Sequence, residues 1–161
     1  MEFEYRVTKY DPRHRDQEGR YTVDEWIMFS QIGKVFNGKQ FTIDDYQRTE
    51  NAYVDTALSY LTEAEALPVC VRQLEDPHGE AAKIGVADRD LLDRERVVEM
   101  MRLALRARAW CRLVSSNAFV HFGYDYYMYI GVTVDCCESR ALAVSRGLFV
   151  EDFRSPYHEN G

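Results

Sequence analysis

Between Ala118 and Gly131 the chain reads Ala-Phe-Val-His-Phe-Gly-Tyr-Asp-Tyr-Tyr-Met-Tyr-Ile-Gly. Aromatic and β-branched side chains at this density suit a pleated, half-buried surface. Gly123-Tyr124-Asp125 in the middle is turn chemistry. The segment therefore reads as a β-hairpin with its turn centred on Tyr124-Asp125. That register opposes Phe122 to Tyr127, His121 to Met128 and Val120 to Tyr129. One face then carries Val120, Phe122, Tyr127 and Tyr129, and the other carries Phe119, His121, Met128 and Ile130. A change of one residue in the loop would exchange these sets on one strand.

Helical periodicity flanks this sheet signal. Thr42 is an N-cap with Asp45 three residues on, a capping box with Asp in place of Glu, and Phe41 can staple onto Tyr46. Ile43, Tyr46, Glu50, Tyr53, Ala57, Tyr60 and Ala64 recur at steps of three and four, which predicts a helix over 43–65. Val97, Val98, Met101, Ala104 and Leu105 mark a second helix over 93–108. A short third helix spans 137–145, with Gly147 closing it. Strands are expected over 2–10, 69–74, 110–114 and 148–150. Ser30–Phe36 reads as a short helical phrase ending near Gly38, and Ala82–Val86 as a short strand. Without regular βαβ alternation, these elements predict an α+β fold. The expected architecture is a mainly antiparallel sheet with two long helices on one face and a short third helix, in one domain over 1–161.

Charge and composition narrow the function classes. The net charge of −7 disfavours nucleic acid and anionic membranes as partners, because both need clustered Lys and Arg. It favours attraction to basic partners. No apolar run approaches the length of a membrane span. The first residues lack the pattern of a secretory signal, so a cytoplasmic protein is expected. Cys70, Cys111, Cys136 and Cys137 lack metal-ligand spacing and are expected to be free thiols, with no metal and no cofactor. Neither a phosphate-binding glycine loop nor a Gly-x-Ser-x-Gly elbow occurs.

Several residues invite a chemical reading. Glu50 sits on the apolar seam of the first long helix. It is either a carboxylate with a raised pKa, suited to general-base work, or a partner of Arg or Tyr at the core edge. Cys111 and His121 lie on strands that could be neighbours, which leaves open a thiol–imidazole pair. The tip Tyr124-Asp125-Tyr126 combines two tyrosines with a carboxylate, groups that suit protein recognition. Asp44 and Asp45, with Asp55, Glu63 and Glu65, give the long helix an acidic face.

Four segments also carry a resemblance: Asp24-Glu25-Trp26 with Ser30-x-Ile32-Gly33-Lys34; Phe41-Thr42-x-x-Asp45-Tyr46-x-x-x-Glu50-Asn51-Ala52-Tyr53; His121 to Gly131; and Leu148-Phe149-Val150-Glu151. In these the chain resembles small bacterial proteins that accompany polymorphic toxins and are suspected immunity proteins. The resemblance implies neutralisation of a cognate toxin domain by direct binding, with no catalytic residues to carry over. The expected contact residues are Tyr124, Asp125, Tyr126, Asp44 and Asp45. The alternative class is a small enzyme or ligand-binding protein whose polar pocket uses Glu50, His121 and nearby tyrosines.

Overall fold

The structure, a computed structural model, describes residues 1–158. Its strands are β1 (Phe3–Thr8), β2 (Val35–Phe36), β3 (Lys39–Gln40), β4 (Val69–Glu75), β5 (Leu91–Leu92), β6 (Trp110–Val114), β7 (Ala118–Phe122), β8 (Tyr127–Val132) and β9 (Phe149–Asp152). Its α-helices are α1 (Ile43–Glu63), α2 (Glu80–Lys83), α3 (Arg94–Leu105) and α4 (Cys137–Ser145). A seven-stranded sheet in the order β5-β4-β6-β7-β8-β1-β9 forms the centre, and every neighbouring pair is antiparallel. β2 and β3 form a separate small hairpin. The α+β architecture with a large antiparallel sheet follows the sequence expectation. Among the described residues no helix is long and apolar enough to cross a membrane.

α1 begins as its sequence dictates. The Thr42 hydroxyl accepts from the Asp45 amide at 3.2 Å, and the Asp45 carboxylate accepts from the Thr42 amide at 3.2 Å. The Phe41 and Tyr46 rings meet at 6.4 Å, forming the expected staple. α1 ends at Glu63, where Glu65 turns into the left-handed region and the Ala66 amide reaches back to the Leu61 carbonyl. α3 ends the same way. Ala107 adopts φ +54° and the Arg108 amide donates to the Leu103 carbonyl. That cap stops α3 at Leu105, so it runs 12 residues and is shorter than the second long helix expected.

Three further expectations are corrected. Residues 80–83 form a single helical turn where a strand was expected near 82–86, because Asp76 accepts from the Ala82 amide and stabilises the turn's start. The helical phrase at 30–36 reduces to a 3-10 turn at Phe29–Gln31, followed by the β2–β3 hairpin. Asn37 and Gly38 both take positive φ there, +49° and +78°, as a two-residue hairpin turn requires.

The third correction concerns the central hairpin. Phe122 pairs with Met128, His121 with Tyr129 and Val120 with Ile130. The register is shifted by one residue from the expected one. Tyr126 adopts φ +64°, and the Gly123 amide closes on the Tyr127 carbonyl at 2.6 Å. The loop is thus Tyr124-Asp125-Tyr126, a three-residue connection whose last member is left-handed. The extra residue moves Met128 and Ile130 to the face of Val120 and Phe122, and sends Tyr129 to the face of His121.

α4 lacks a side-chain cap of its own, since Cys136 stands at its N-cap. Glu63 of α1 replaces it, accepting from the Ser139 amide at 2.9 Å and from the Ser139 hydroxyl at 2.6 Å. A carboxylate here satisfies free amides and complements the helix dipole. Glu63→Ala should therefore cost about 1–2 kcal/mol, the usual value of a cap. Chemical denaturation would measure this, and an unchanged midpoint would count against the cap.

Candidate functional site

The two faces of the sheet differ in chemistry. Along one row run Val71, Leu113, Val120, Ile130 and Tyr5, paired strand to strand and buried in the core beneath the helices. Tyr5 meets Tyr60 of α1 at 5.8 Å, which identifies this as the helical face. The adjacent row, on the opposite face, reads Arg72, Arg112, His121, Tyr129, Arg6 and Glu151. The segment after β9 folds across part of it, held by Glu4, which accepts from the Ser155 amide at 3.0 Å and bonds His158 at 2.8 Å. Gly131 lets the Phe119 ring lie flat on this face. A Cβ at Gly131 would stand 2.2 Å from that ring.

The hairpin tip splits into exposed and buried parts. Tyr124 is 64% exposed and Asp125 is exposed. Tyr126 is only 2% exposed, so it is not the surface contact expected of it. Its left-handed backbone turns the ring inward, where the Trp26 ring stands edge-on at 5.1 Å and the Tyr53 ring at 5.0 Å. The Tyr126 hydroxyl donates to that of Tyr46 at 2.6 Å, and Tyr46 donates to Glu50 at 2.8 Å. The Tyr53 hydroxyl donates to the Tyr126 carbonyl at 2.6 Å, and that of Tyr10 to the Asp125 carbonyl at 2.7 Å. The tip is therefore a rigid platform fastened to α1 from below.

Glu50 is the end of this relay. It is fully buried and accepts from Arg102 at 2.6 Å and from Arg106 at 2.7 and 2.9 Å. Burial alone would raise its pKa. The bonds from Arg106, Tyr46 and Arg102 outweigh burial and hold the carboxyl below its ordinary value. Glu50 is thus a paired structural carboxylate, and the raised pKa of a general base is overturned. The structure also keeps Glu50 and His121 apart, since Glu50 belongs to α1 on the helical side of the sheet while His121 lies on the other face. Cys111 and His121 do not pair either. Arg112, not Cys111, is the register partner of His121, so alternation points Cys111 to the helical face. Burial pushes the Cys111 thiol up to about 12, leaving it unreactive.

The exposed tip overhangs a groove. Tyr124 and Gly123 line it with Glu75, Pro77, Ala104, Ala107, Arg108, Ala109 and Trp110, enclosing about 160 Å³. Trp110 is oriented by its indole N–H, which donates to the Phe122 carbonyl at 2.7 Å. An exposed Tyr, a half-buried Trp and three alanines form a partly apolar slot whose lining also carries one carboxylate, Glu75, and one guanidinium, Arg108, while Asp125 lines a different hollow with Tyr10, Tyr21 and Tyr127. Asp44 and Asp45 do not belong to this slot. They occupy the first turn of α1, where Asp44 is exposed and Asp45 is engaged by Thr42, Lys39 and Arg48. Trp26 is core-like, stacked on Phe41 at 4.4 Å.

A larger open hollow of about 450 Å³ lies between α1 and α4, lined by Asp55, Glu63, Glu138, Arg94 and Arg146 among others. Two of its carboxylates have structural work, Glu63 at the α4 cap and Asp55 with Arg146 at 2.9 Å. Among the described residues no cluster of three or more His, Cys, Asp or Glu could hold a metal ion. Sequence reasoning missed the partners of Tyr124 in the slot, because Glu75, Pro77, Ala104 and Trp110 come from separate elements. It also missed the Arg72–Arg112–His121 row, which only the register creates. Comparison of the chain with known families, curated proteins and solved structures gives no match.

Proposed function

We propose that this protein acts by stoichiometric binding to a basic protein domain, in the manner of an immunity protein that neutralises a cognate toxin. The observation that carries the reading is the tip slot. Tyr124 stands exposed beside Trp110, with Glu75 and Arg108 also lining the slot. Tyr and Trp are the side chains that most often anchor interfaces. The net charge of −7 complements a basic surface and speeds its capture. Asp44 contributes to this long-range attraction rather than to the slot.

The two parts should respond differently. Tyr124→Ala should weaken binding by about 2 kcal/mol or more, mainly through faster dissociation. Asp44→Asn should mainly slow association and flatten its salt dependence. Asp45 is unsuitable for this comparison because it also caps α1. The deciding assay is co-expression with a candidate toxin domain encoded beside the protein, followed by pull-down and growth rescue. Neutralisation by sub-stoichiometric amounts would overturn the binding reading in favour of a catalytic antidote.

A further inference from the structure

We propose that the hollow lined by Tyr10, Tyr21, Val23, Ile27, Tyr127 and Asp125 binds a small organic amine, whose apolar body lies against the rings while its ammonium bonds the Asp125 carboxylate. It encloses about 340 Å³. That is at the lower end of the range of small-molecule sites, about 300–1,000 Å³. The hollow is separate from the slot at Tyr124, and the proposal does not rest on the binding of a protein partner.

The first support is the wall. Tyr10 follows β1, Tyr127 opens β8, and Tyr21, Val23 and Ile27 come from the long connection between β1 and β2. The Tyr10 ring meets that of Tyr127 at 5.2 Å and 29° and that of Tyr21 at 4.8 Å and 55°, so three rings adjoin. Tyr10 is buried, while Tyr21, Val23, Ile27 and Tyr127 stay half-buried. Four large side chains thus leave apolar surface in water around one hollow. A ligand body that covers this surface gains the hydrophobic free energy of its removal from water.

The second support is an unbalanced charge. Among the described residues no side chain bonds the Asp125 carboxylate. The cations nearby are already engaged. Arg20, which also lines the hollow, pairs with Asp16 at 3.1 Å and with Glu18. Lys9 lies over the Tyr10 ring and pairs with Glu25. Arg6 and Arg15 lie over the Tyr127 ring and both pair with Glu151, at 3.0 and 3.1 Å. These last three side chains are at most 14% exposed and do not line the hollow. Asp125 is reached by solvent, yet the protein around it displaces enough water to raise its pKa above the ordinary value. An ammonium bonded to the carboxylate offsets that cost. The loop backbone is fixed in advance, since Tyr10 donates to the Asp125 carbonyl at 2.7 Å and Tyr53 to the Tyr126 carbonyl at 2.6 Å. Binding therefore requires little ordering of the tip.

The full chain, labelled with 13C in its tyrosine rings, should be titrated with phenethylamine, N-acetylphenethylamine and phenylacetate. The three share an aromatic body and differ in charge, and phenylacetate tests capture by Arg20 instead of Asp125. The Tyr21 and Tyr127 ring resonances are followed by NMR. Phenethylamine at millimolar concentration should shift them saturably. The neutral and anionic compounds should bind at least about tenfold more weakly, the value of a lost charge-assisted bond. Asp125→Asn should weaken phenethylamine binding by a similar factor. Glu99→Gln, which removes the same charge from an exposed position on α3, should leave it unchanged. The proposal is overturned by no saturable shift with phenethylamine, by equal or tighter binding of either other compound, or by unchanged affinity in Asp125→Asn. An equal loss in Glu99→Gln would overturn it too, by showing attraction to the net charge alone.

Discussion

Glu50→Gln is expected to lower the stability of the protein by about 3 kcal/mol at neutral pH. Removing one partner of a buried ion pair usually costs about 3–5 kcal/mol. The lower end applies because the Arg102 and Arg106 side chains remain 33% and 35% exposed, so water solvates part of the charge left behind. Gln keeps the shape of Glu, which isolates the charge from the packing. For a chain of this size the loss corresponds to a fall in Tm of about 6–12 °C. The pH dependence follows from the direction of the shift. The folded-state carboxyl titrates below its ordinary value of 4.5, so its contribution is fully present above that pH. It is lost as pH falls through the lower folded value. The Tm values of wild type and Glu50→Gln should therefore differ at pH 7 and converge in acid. A constant gap across that range would show that the ion pair is not the source of the effect.

Tyr126→Ala should cost about 3–5 kcal/mol, the range for emptying a buried aromatic site. The ring fills space between Trp26, Tyr46 and Tyr53, and its hydroxyl feeds the relay to Glu50. Tyr126→Phe, which removes only the hydroxyl, should cost about 1 kcal/mol. Tyr124→Ala, two residues away and exposed, should change stability by less than about 0.5 kcal/mol. Urea unfolding of the three variants would read all of these. Equal losses for Tyr124→Ala and Tyr126→Ala would mean that the tip is not divided into an outward and an inward tyrosine. This contrast also protects the binding experiment, because loss of affinity in Tyr124→Ala then cannot be ascribed to unfolding.

Much of the fold was legible because it depends on local chemistry. Thr42, Asp45 and Phe41 determine where α1 starts, and its stripe of Tyr46, Glu50, Tyr53, Ala57 and Tyr60 determines the face it buries. The aromatic run at 118–131 determines that a hairpin forms. The Asn37-Gly38 turn was legible too, since this dipeptide supplies two positive φ values, and reading Gly38 as a helix end overlooked it. The single turn at 80–83 was not legible in the same way. It depends on Asp76, which accepts from an amide six residues downstream.

What only the tertiary structure decided is the partition of side chains between faces. The hairpin register turns on one residue, and Tyr126 pays a left-handed backbone to bury its ring against Trp26, Tyr46 and Tyr53. That gain comes from residues 73 to 100 positions away in sequence, so no local pattern contains it. Once the register is set, it places Arg72, Arg112 and His121 in one row and separates His121 from both Cys111 and Glu50. The sequence by itself determined the elements, the acidic balance and an aromatic hairpin tip. Whether Tyr124 or Tyr126 faces solvent, and whether Glu50 is a base or an ion-pair partner, was decided by packing, because burial and pairing are properties of neighbours that only the folded chain brings together.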